Sequence, residues 1–374
     1  MTRLTWGAAS ALILAAPLAH AGALDRSGQP VTALFEPGNY ADLSFGYAMP
    51  NLEGTATTPL GASGSGDVGA DYAVFGLSLK YDVTPNVSLA FIVDNPFGAD
   101  PDYGDADAGY PLAGTTAAFN SVGYTALARY RFDNGFSVHA GARAVTVDAN
   151  LDLVALTALG PQPLYAGDFA SDTGFGYVVG AAYERPEIAL RVALTYSSAI
   201  AMAHDTSATL LSPAGPLAQD STTEYDLPQS VNLDFRTGIA EGTALFGQVR
   251  WVDWSELSIS EPLYTLGFGG PIVGYPEDYW TYTLGVGRQL TDRLTGTAAV
   301  FYEPAAVNGE GVDDLSPYDG QAGVILAATY RATDAVEVTG SVRYTRLGRA
   351  STPIGAEFED GDLLALGARL AYRF

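Results

Sequence analysis

The chain has 374 residues, no cysteine, and 42 acidic against 18 basic side chains, for a net charge of −24. Lacking cysteine, it has no disulfides, thiol chemistry or cysteine metal sites, and so acidic a surface excludes nucleic acid as a partner, because phosphate binding needs basic side chains. Charged residues make up only 16% while glycine and tyrosine are abundant, the balance expected of strands with one polar and one apolar face.

Residues 1–21 have the pattern of a secretory signal peptide: Arg3, an apolar run from Trp6 through Leu18, then Ala19-His20-Ala21 as a small-x-small cleavage site. The chain is therefore expected to be exported. No later stretch approaches the ~18 uninterrupted apolar residues of a membrane helix. Residues 22–39 form a turn-rich lead-in whose few apolar or rigid residues are Leu24, Val31, Leu34, Phe35 and Pro37. It is too long for a simple tail and is expected to fold back as a plug, or hatch, inside residues 40–374.

From Tyr40 onward the dominant signal is period two. Strands are expected at 40–52, 68–82, 86–94, 120–132, 136–151, 174–184, 188–203, 224–239, 243–257, 279–289, 293–303, 321–331, 335–349 and 362–374. Alternate links are tight, as in Asp133-Asn134-Gly135 and Ala240-Glu241-Gly242. The others are long: 53–67, 95–119, 152–173, 204–223, 258–278, 304–320 and 350–361. About fourteen strands with strict short and long alternation predict an all-β fold, a closed transmembrane antiparallel β-barrel with turns at one rim and loops at the other.

The two faces sort by chemistry. Leu43, Phe45, Tyr47, Phe75, Leu77, Leu79, Tyr81, Leu89, Phe91, Val93, Val192, Leu194, Leu233, Val324, Leu326 and Tyr330 are expected to face lipid. Lys80, Arg129, Arg131, Arg191, Arg236, Arg250, Arg343 and Arg369 are expected in the lumen, alongside Asp234, Glu303 and Glu337. A charge on the lipid face near the midplane would cost about 2–4 kcal/mol. Acidic residues between strands, among them Asp100, Asp102, Asp105 and Asp107, suit a solvated loop, with calcium or a lipopolysaccharide-linked cation as the sharper reading.

Two further features break the pattern. At Asp94-Asn95-Pro96-Phe97-Gly98 the third strand acquires a proline without a ladder donor and a permissive glycine, so pairing should fail there. In lipid, a broken ladder must be covered or must border an opening. Residues 151–169 carry Leu151, Leu153, Val154, Leu156, Leu159, Leu164, Tyr165 and Phe169, more apolar surface than an extracellular loop uses. These residues form a cap or one wall of a greasy groove, with Leu210, Leu211 and Leu217 supplying the other.

With Trp251-Val252-Asp253-Trp254-Ser255 and the last strand ending in Phe374, these features resemble the FadL-type family of outer-membrane long-chain fatty acid transporters over nearly the whole mature chain. The resemblance implies fourteen strands, an N-terminal hatch, ligand capture between the third and fourth extracellular loops, and lateral exit through a kink in the third strand. It also implies residence in the outer membrane of a Gram-negative bacterium, among outer-membrane lipid and lipopolysaccharide, and recognition of the Phe374 strand by the barrel assembly machinery. Family hatches are longer and carry an Asn-Pro-Ala turn, where this chain has only Glu36-Pro37-Gly38-Asn39.

The expected function is a passive channel for hydrophobic molecules, long-chain fatty acids first, released laterally at residues 94–98. Lys80, Arg129 and Arg191 are the candidate carboxylate partners. The alternatives are uptake of aromatic hydrocarbons or other xenobiotics, and a structural or adhesive barrel without a ligand. No cofactor, metal or catalytic residue is expected: His139 and His204 lack zinc spacing, and Gly64-Ser65-Gly66-Asp67-Val68-Gly69 precedes a strand rather than a helix.

Overall fold

The computed structural model describes residues 23–59, 61–157, 160–359 and 361–374; the expected signal peptide, Gly22 and Leu159 lie outside these residues. Fourteen antiparallel strands close into one barrel. They are β1 (Tyr40–Asn51), β2 (Tyr72–Asp82), β3 (Val87–Asp94, resuming at Gly98–Ala99), β4 (Thr116–Arg131), β5 (Phe136–Thr157), β6 (Gly160–Arg185) and β7 (Leu190–Ser197 with Ile200–Ser212). The second half comprises β8 (Gly215–Leu227 with Ser230–Ala240), β9 (Thr243–Val252), β10 (Tyr279–Gln289), β11 (Leu294–Glu303), β12 (Gln321–Arg331), β13 (Val336–Leu347) and β14 (Asp362–Arg373). The ring closes where β1 meets β14, from Tyr40 opposite Arg373 to Asn51 opposite Asp362. Among the described residues no helix is long and apolar enough to cross a membrane, which is no obstacle, since the strands satisfy their backbone groups laterally.

Side-chain alternation is what the ring requires. Leu43, Phe45, Leu79, Tyr81, Leu194, Leu326 and Tyr330 are exposed on the outer face, and Lys80, Arg129, Arg191, Arg250, Arg343 and Arg369 are buried in the lumen. Val93 is an exception: it is buried, because Leu77 and Tyr124 stand directly opposite on the same face and cover it. Arg131, expected in the lumen, is exposed at the turn rim. In the tight turn before β5, Gly135 adopts φ +86° with Glu184 O only 2.6 Å from where a Cβ would lie, so glycine is required on both counts.

Several expected loops are structured. Residues 152–173 belong mostly to β5 and β6, which at 22 and 26 residues far exceed the roughly 9–11 residues that span a bilayer. The pattern that carries them is alternation: Leu151, Leu153, Tyr165 and Phe169 are buried while Asp152, Ala166 and Asp168 are exposed. Residues 204–223 likewise form the outer hairpin of β7 and β8. Residues 53–58 and 61–67 form a hairpin that joins 350–351 and 356–358 in a small four-stranded sheet. The expected strand 243–257 ends at Val252, after which the chain turns inward through a short 3-10 helix, Trp254–Glu256, that buries Trp254.

The remaining loops are tied to these hairpins. The helix Pro262–Phe268 is capped by Glu261, whose carboxylate accepts from Tyr264 N at 2.7 Å, Tyr165 Oη at 3.1 Å and Ser221 Oγ at 3.0 Å. In the loop 304–320, Asp319 accepts from the backbone N–H groups of Ala306, Val307 and Gly309 at 2.6, 3.1 and 2.6 Å.

The lumen is filled rather than open. Leu24 packs in a cluster with Phe97, Phe119, Val145 and Trp254, and Val31, Leu34 and Phe35 pack against Ala90, Ile92, Leu127 and Val178. A third cluster, including Tyr103, Leu151, Tyr165, Leu210 and Phe358, occupies the loop end.

Candidate functional site

The interruption in β3 follows from its sequence. Pro96 has no N–H to donate and residues 95–97 leave the ladder, so β4 pairs with Asp94 at Gly123 and next with Gly98 at Asn120. On the other side the β2–β3 ladder stops at Leu77 opposite Val93, and residues 72–76 of β2 have no strand partner on that edge. At about 3.3 Å per residue the unpaired edge is roughly 16 Å long. Side chains patch it: Asn95 Oδ1 accepts from Phe75 N at 2.9 Å and Asn95 Nδ2 donates to Ser121 O at 2.9 Å.

From inside, the lead-in seals the same place. Arg26 N donates to Pro96 O at 2.9 Å and Gly98 N to Leu24 O at 2.8 Å, so residues 24–26 serve as a short inner strand for the segment that lost its own. Polar side chains hold that strand down. Asp25 pairs with Arg250 at 2.6 Å, Ser27 Oγ donates to Asp94 at 2.5 Å, and Arg143 donates to Gln29 Oε1 at 2.6 Å. The Arg26 guanidinium spans the gap, 2.5 Å from Asp100 and 3.9 Å from the centre of the Tyr72 ring. It fits there because residue 98 is glycine: a Cβ would lie 2.5 Å from Arg26 Cζ.

Beside this plug lies a narrow apolar cavity of about 50 Å³, below the few hundred Å³ of ordinary small-molecule sites, so a ligand must part its walls to enter. Leu24, Phe119, Leu151, Phe169, Ile259 and Ile272 supply its apolar walls, and Asp313, Ser316 and Tyr275 also line it. No arginine or lysine lines it among the described residues. Burial lifts the Asp313 carboxyl up to about 7, with neighbouring Asp314 acting in the same direction. A second cavity, of about 100 Å³ and lined by Arg26, Tyr72 and Gly98, shares Ala99, Pro101, Leu315 and Ser316 with the first. The two cavities thus lead from the loop end to the unpaired edge of β2, with Arg26 on the way.

Of the residues singled out from sequence, Leu151 and Phe169 line the first cavity. Leu153, Tyr165 and Leu210 are buried in the cluster above it. Val154, Leu156 and Leu164 are half-buried, and Leu211 and Leu217 are exposed. All of these belong to the β5–β6 and β7–β8 hairpins, so the expected loop walls are strand walls. Asp94, Pro96, Phe97 and Gly98 are buried at the kink. Of the lead-in residues, Leu24, Val31, Leu34 and Phe35 are buried and Pro37 is exposed.

Lys80, Arg129 and Arg191 lie elsewhere; the first two have acid partners, while Arg191 has the Phe35 ring and, among the described residues, an Nη1 without a hydrogen-bond partner. Lys80 pairs with Asp82 at 2.5 Å, Arg129 pairs with Glu184, and the guanidiniums of Arg129 and Arg191 lie 4.5 and 4.8 Å from the Phe35 ring centre. Among the loop acids, Asp100 holds Arg26, while Asp102 and Asp107 accept from Gly104 N and Gly64 N. No group that could hold a metal ion occurs among the described residues. Sequence reasoning missed Arg26, Tyr72, Tyr275 and Asp313. Arg26 lies in the expected hatch, Tyr72 in an expected strand and the other two in expected loops, but none was singled out; Trp254, which packs edge-on against Phe97 at 5.9 Å, was part of a segment noted by its sequence.

A family model described as outer membrane protein transport protein (OMPP1/FadL/TodX) matches residues 37–355. No curated protein sequence matches the chain. Among solved structures, a FadL homologue from Pseudomonas aeruginosa is similar over 92% of each chain, with 15% identity and a TM-score of 0.70. The toluene transporter TodX of P. putida is similar over 92% of each chain, with 14% identity and a TM-score of 0.69. The Ralstonia pickettii toluene transporter TbuX is similar over 97% of this chain and 99% of its own, with 12% identity and a TM-score of 0.63. At these identities the likeness is one of fold.

Proposed function

This chain belongs to the outer membrane protein transport family (OMPP1/FadL/TodX) of Gram-negative outer-membrane channels for hydrophobic compounds, and from that premise we propose that it passively admits small, uncharged hydrophobic molecules. The observation that carries this reading is the cavity: greasy walls, one carboxyl and no cation. A fatty acid would bring its carboxylate into apolar surroundings with no cation in the lining to pair it, a costly burial. None of the three cations expected to greet it lines this cavity, and Lys80 and Arg129 are already paired with Asp82 and Glu184. A neutral ligand meets no such penalty, and each methylene it buries contributes about 0.8 kcal/mol. The names of the toluene transporters similar in fold agree with this choice of ligand class.

In this mechanism the exposed Leu211, Leu217 and Leu266 of the loop end gather ligand from water, and the first cavity receives it. Residues 22–39 act as the hatch. When residues 24–26 leave the kink, ligand passes Ala99 and Leu315 into the second cavity and exits sideways beside Asn95, Pro96 and Phe97 into the bilayer. That route spares the ligand a water-filled bore. The stacked Tyr372 and Phe374 rings, 5.6 Å apart, suit recognition by the assembly machinery that inserts the barrel among outer-membrane lipid and lipopolysaccharide.

The deciding experiment is uptake in an outer-membrane-intact host lacking other channels of this family, with labelled ethylbenzene and labelled oleate compared side by side. Faster ethylbenzene uptake is expected when the chain is expressed. Acceleration of oleate alone would reverse the choice of ligand, and acceleration of neither would remove the transport reading.

A further inference from the structure

Among the described residues, the first cavity has its only carboxyl at one corner, while Asn150 of β5 is a further polar residue of its lining. Asp313 and Ser316 come from the loop 304–320 and Tyr275 from the loop 258–278, and the two loops meet here because Asp319 ties down one and Glu261 the other. Asp313 is fixed in orientation, its Oδ1 accepting from Leu315 N at 2.8 Å, and it forms no ion pair among the described residues. Tyr275 is 7% exposed, and its hydroxyl makes no hydrogen bond of good geometry among the described residues, with the Ser316 hydroxyl as its polar neighbour. A buried hydroxyl left unpaired is a standing cost to the fold and a place where a ligand atom is rewarded. By contrast Tyr225, also on the wall, is satisfied by His204 Nε2 at 2.9 Å. The strongest polarity is thus the Asp313 carboxyl with the poorly bonded Tyr275 hydroxyl, in a lining otherwise dominated by Leu24, Phe119, Leu151, Phe169 and Ile259.

A site laid out in this way discriminates by head group. A bare hydrocarbon fills the apolar part and leaves the corner unpaired, while a carboxylate meets like charge. An O–H or N–H donor satisfies Asp313, and the atom that carries it can accept from Tyr275. We propose that the preferred substrates carry one hydrogen-bond donor on a small, uncharged hydrophobic body, the chemistry of phenols and alcohols, with the head held by Asp313 and Tyr275. The inference rests on the first cavity being the ligand site.

The test uses the full barrel in nanodiscs with two probes of matched shape, 4-ethylphenol and ethylbenzene, in equilibrium dialysis above neutral pH, with protein-free nanodiscs subtracted. Wild type should prefer 4-ethylphenol by about tenfold, the effect of one charge-assisted hydrogen bond. Asp313→Asn keeps the acceptor for Leu315 N, and Tyr275→Phe removes only the hydroxyl. In the double variant the preference should fall to about twofold. Equal binding of the two probes to wild type, or a preference untouched in the double variant, would overturn the donor requirement and leave the channel reading standing. Binding of neither probe would overturn the cavity as a ligand site and the donor requirement with it.

Discussion

Replacing Arg26 with methionine tests the lateral route at its narrowest point, because methionine keeps a flexible apolar stem and removes the guanidinium that spans the gap. The Arg26–Asp100 contact is short, with side chains 9% and 25% exposed. A partly desolvated, charge-assisted bond of about 1.5–3 kcal/mol therefore describes it better than the roughly 0–1 kcal/mol of a surface pair. Stacking on Tyr72 at 3.9 Å adds about 0.5–1 kcal/mol. Both groups recover hydration when the latch opens, so the net bias toward the closed state is roughly 2 kcal/mol. Removing it should raise the open population about thirtyfold. The backbone bonds of residues 24–26 to Pro96 and Gly98 do not involve the side chain, so the lead-in should remain seated most of the time. The assay is the initial rate of ethylbenzene uptake at low concentration, normalised to folded barrel in the outer membrane. Gly98→Ala, which pushes Arg26 aside without deleting it, should change the rate in the same direction. Unchanged or slower uptake by both variants, with folded barrel at wild-type level, would refute Arg26 as the latch.

Replacing Asp94–Gly98 with a regular alternating segment should restore the β2–β3 ladder and abolish uptake while the barrel still assembles, as judged by heat-modifiable migration. Asp319→Ala leaves three backbone donors without their acceptor, a loss of about 2–4 kcal/mol confined to the loop 304–320; limited proteolysis should cut that loop faster while thermal unfolding of the barrel is unmoved. Burial holds the Asp313 carboxyl at about 7, above its unfolded value of about 3.9. The native loop therefore binds more protons than the unfolded one between those limits, and its stability should fall as pH rises from about 4 to 7, then level off. Protease protection of the loop measured at pH values on either side of neutrality should show this slope, and Asp313→Asn should flatten it.

The barrel could be read from the sequence because its signals are local and repeated. Alternation around Leu43-Ser44-Phe45 or Leu79-Lys80-Tyr81, and turns such as Asp133-Asn134-Gly135, each specify a strand face or a reversal without reference to distant residues. The kink was equally local, written in Pro96 and Gly98. The hairpin extensions were misread because Leu151-Asp152-Leu153 and Tyr165-Ala166-Gly167-Asp168-Phe169 alternate too, but inside stretches long enough to be taken for loops. Trp254 looked like part of a strand because nothing in Trp-Val-Asp-Trp-Ser announces an inward turn. Arg26, Tyr72 and Asp100 come from three separate elements, and Asp313 and Tyr275 from two loops. Their juxtaposition is a product of closure, and no spacing in the chain encodes it.

The seam between β1 and β14 has a consequence for how the plug is installed. Asn39 O accepts from Phe374 N across the end of that seam at 3.1 Å, and Arg373 bridges Glu36 of the lead-in and Glu337 of β13 at 2.9 and 3.0 Å. The stalk of the stopper is therefore clamped by the last stave of the cask. Until that stave is hooped into place the stopper has no complete seat, so a half-built barrel is an unstoppered one, and sealing and completion arrive in the same step.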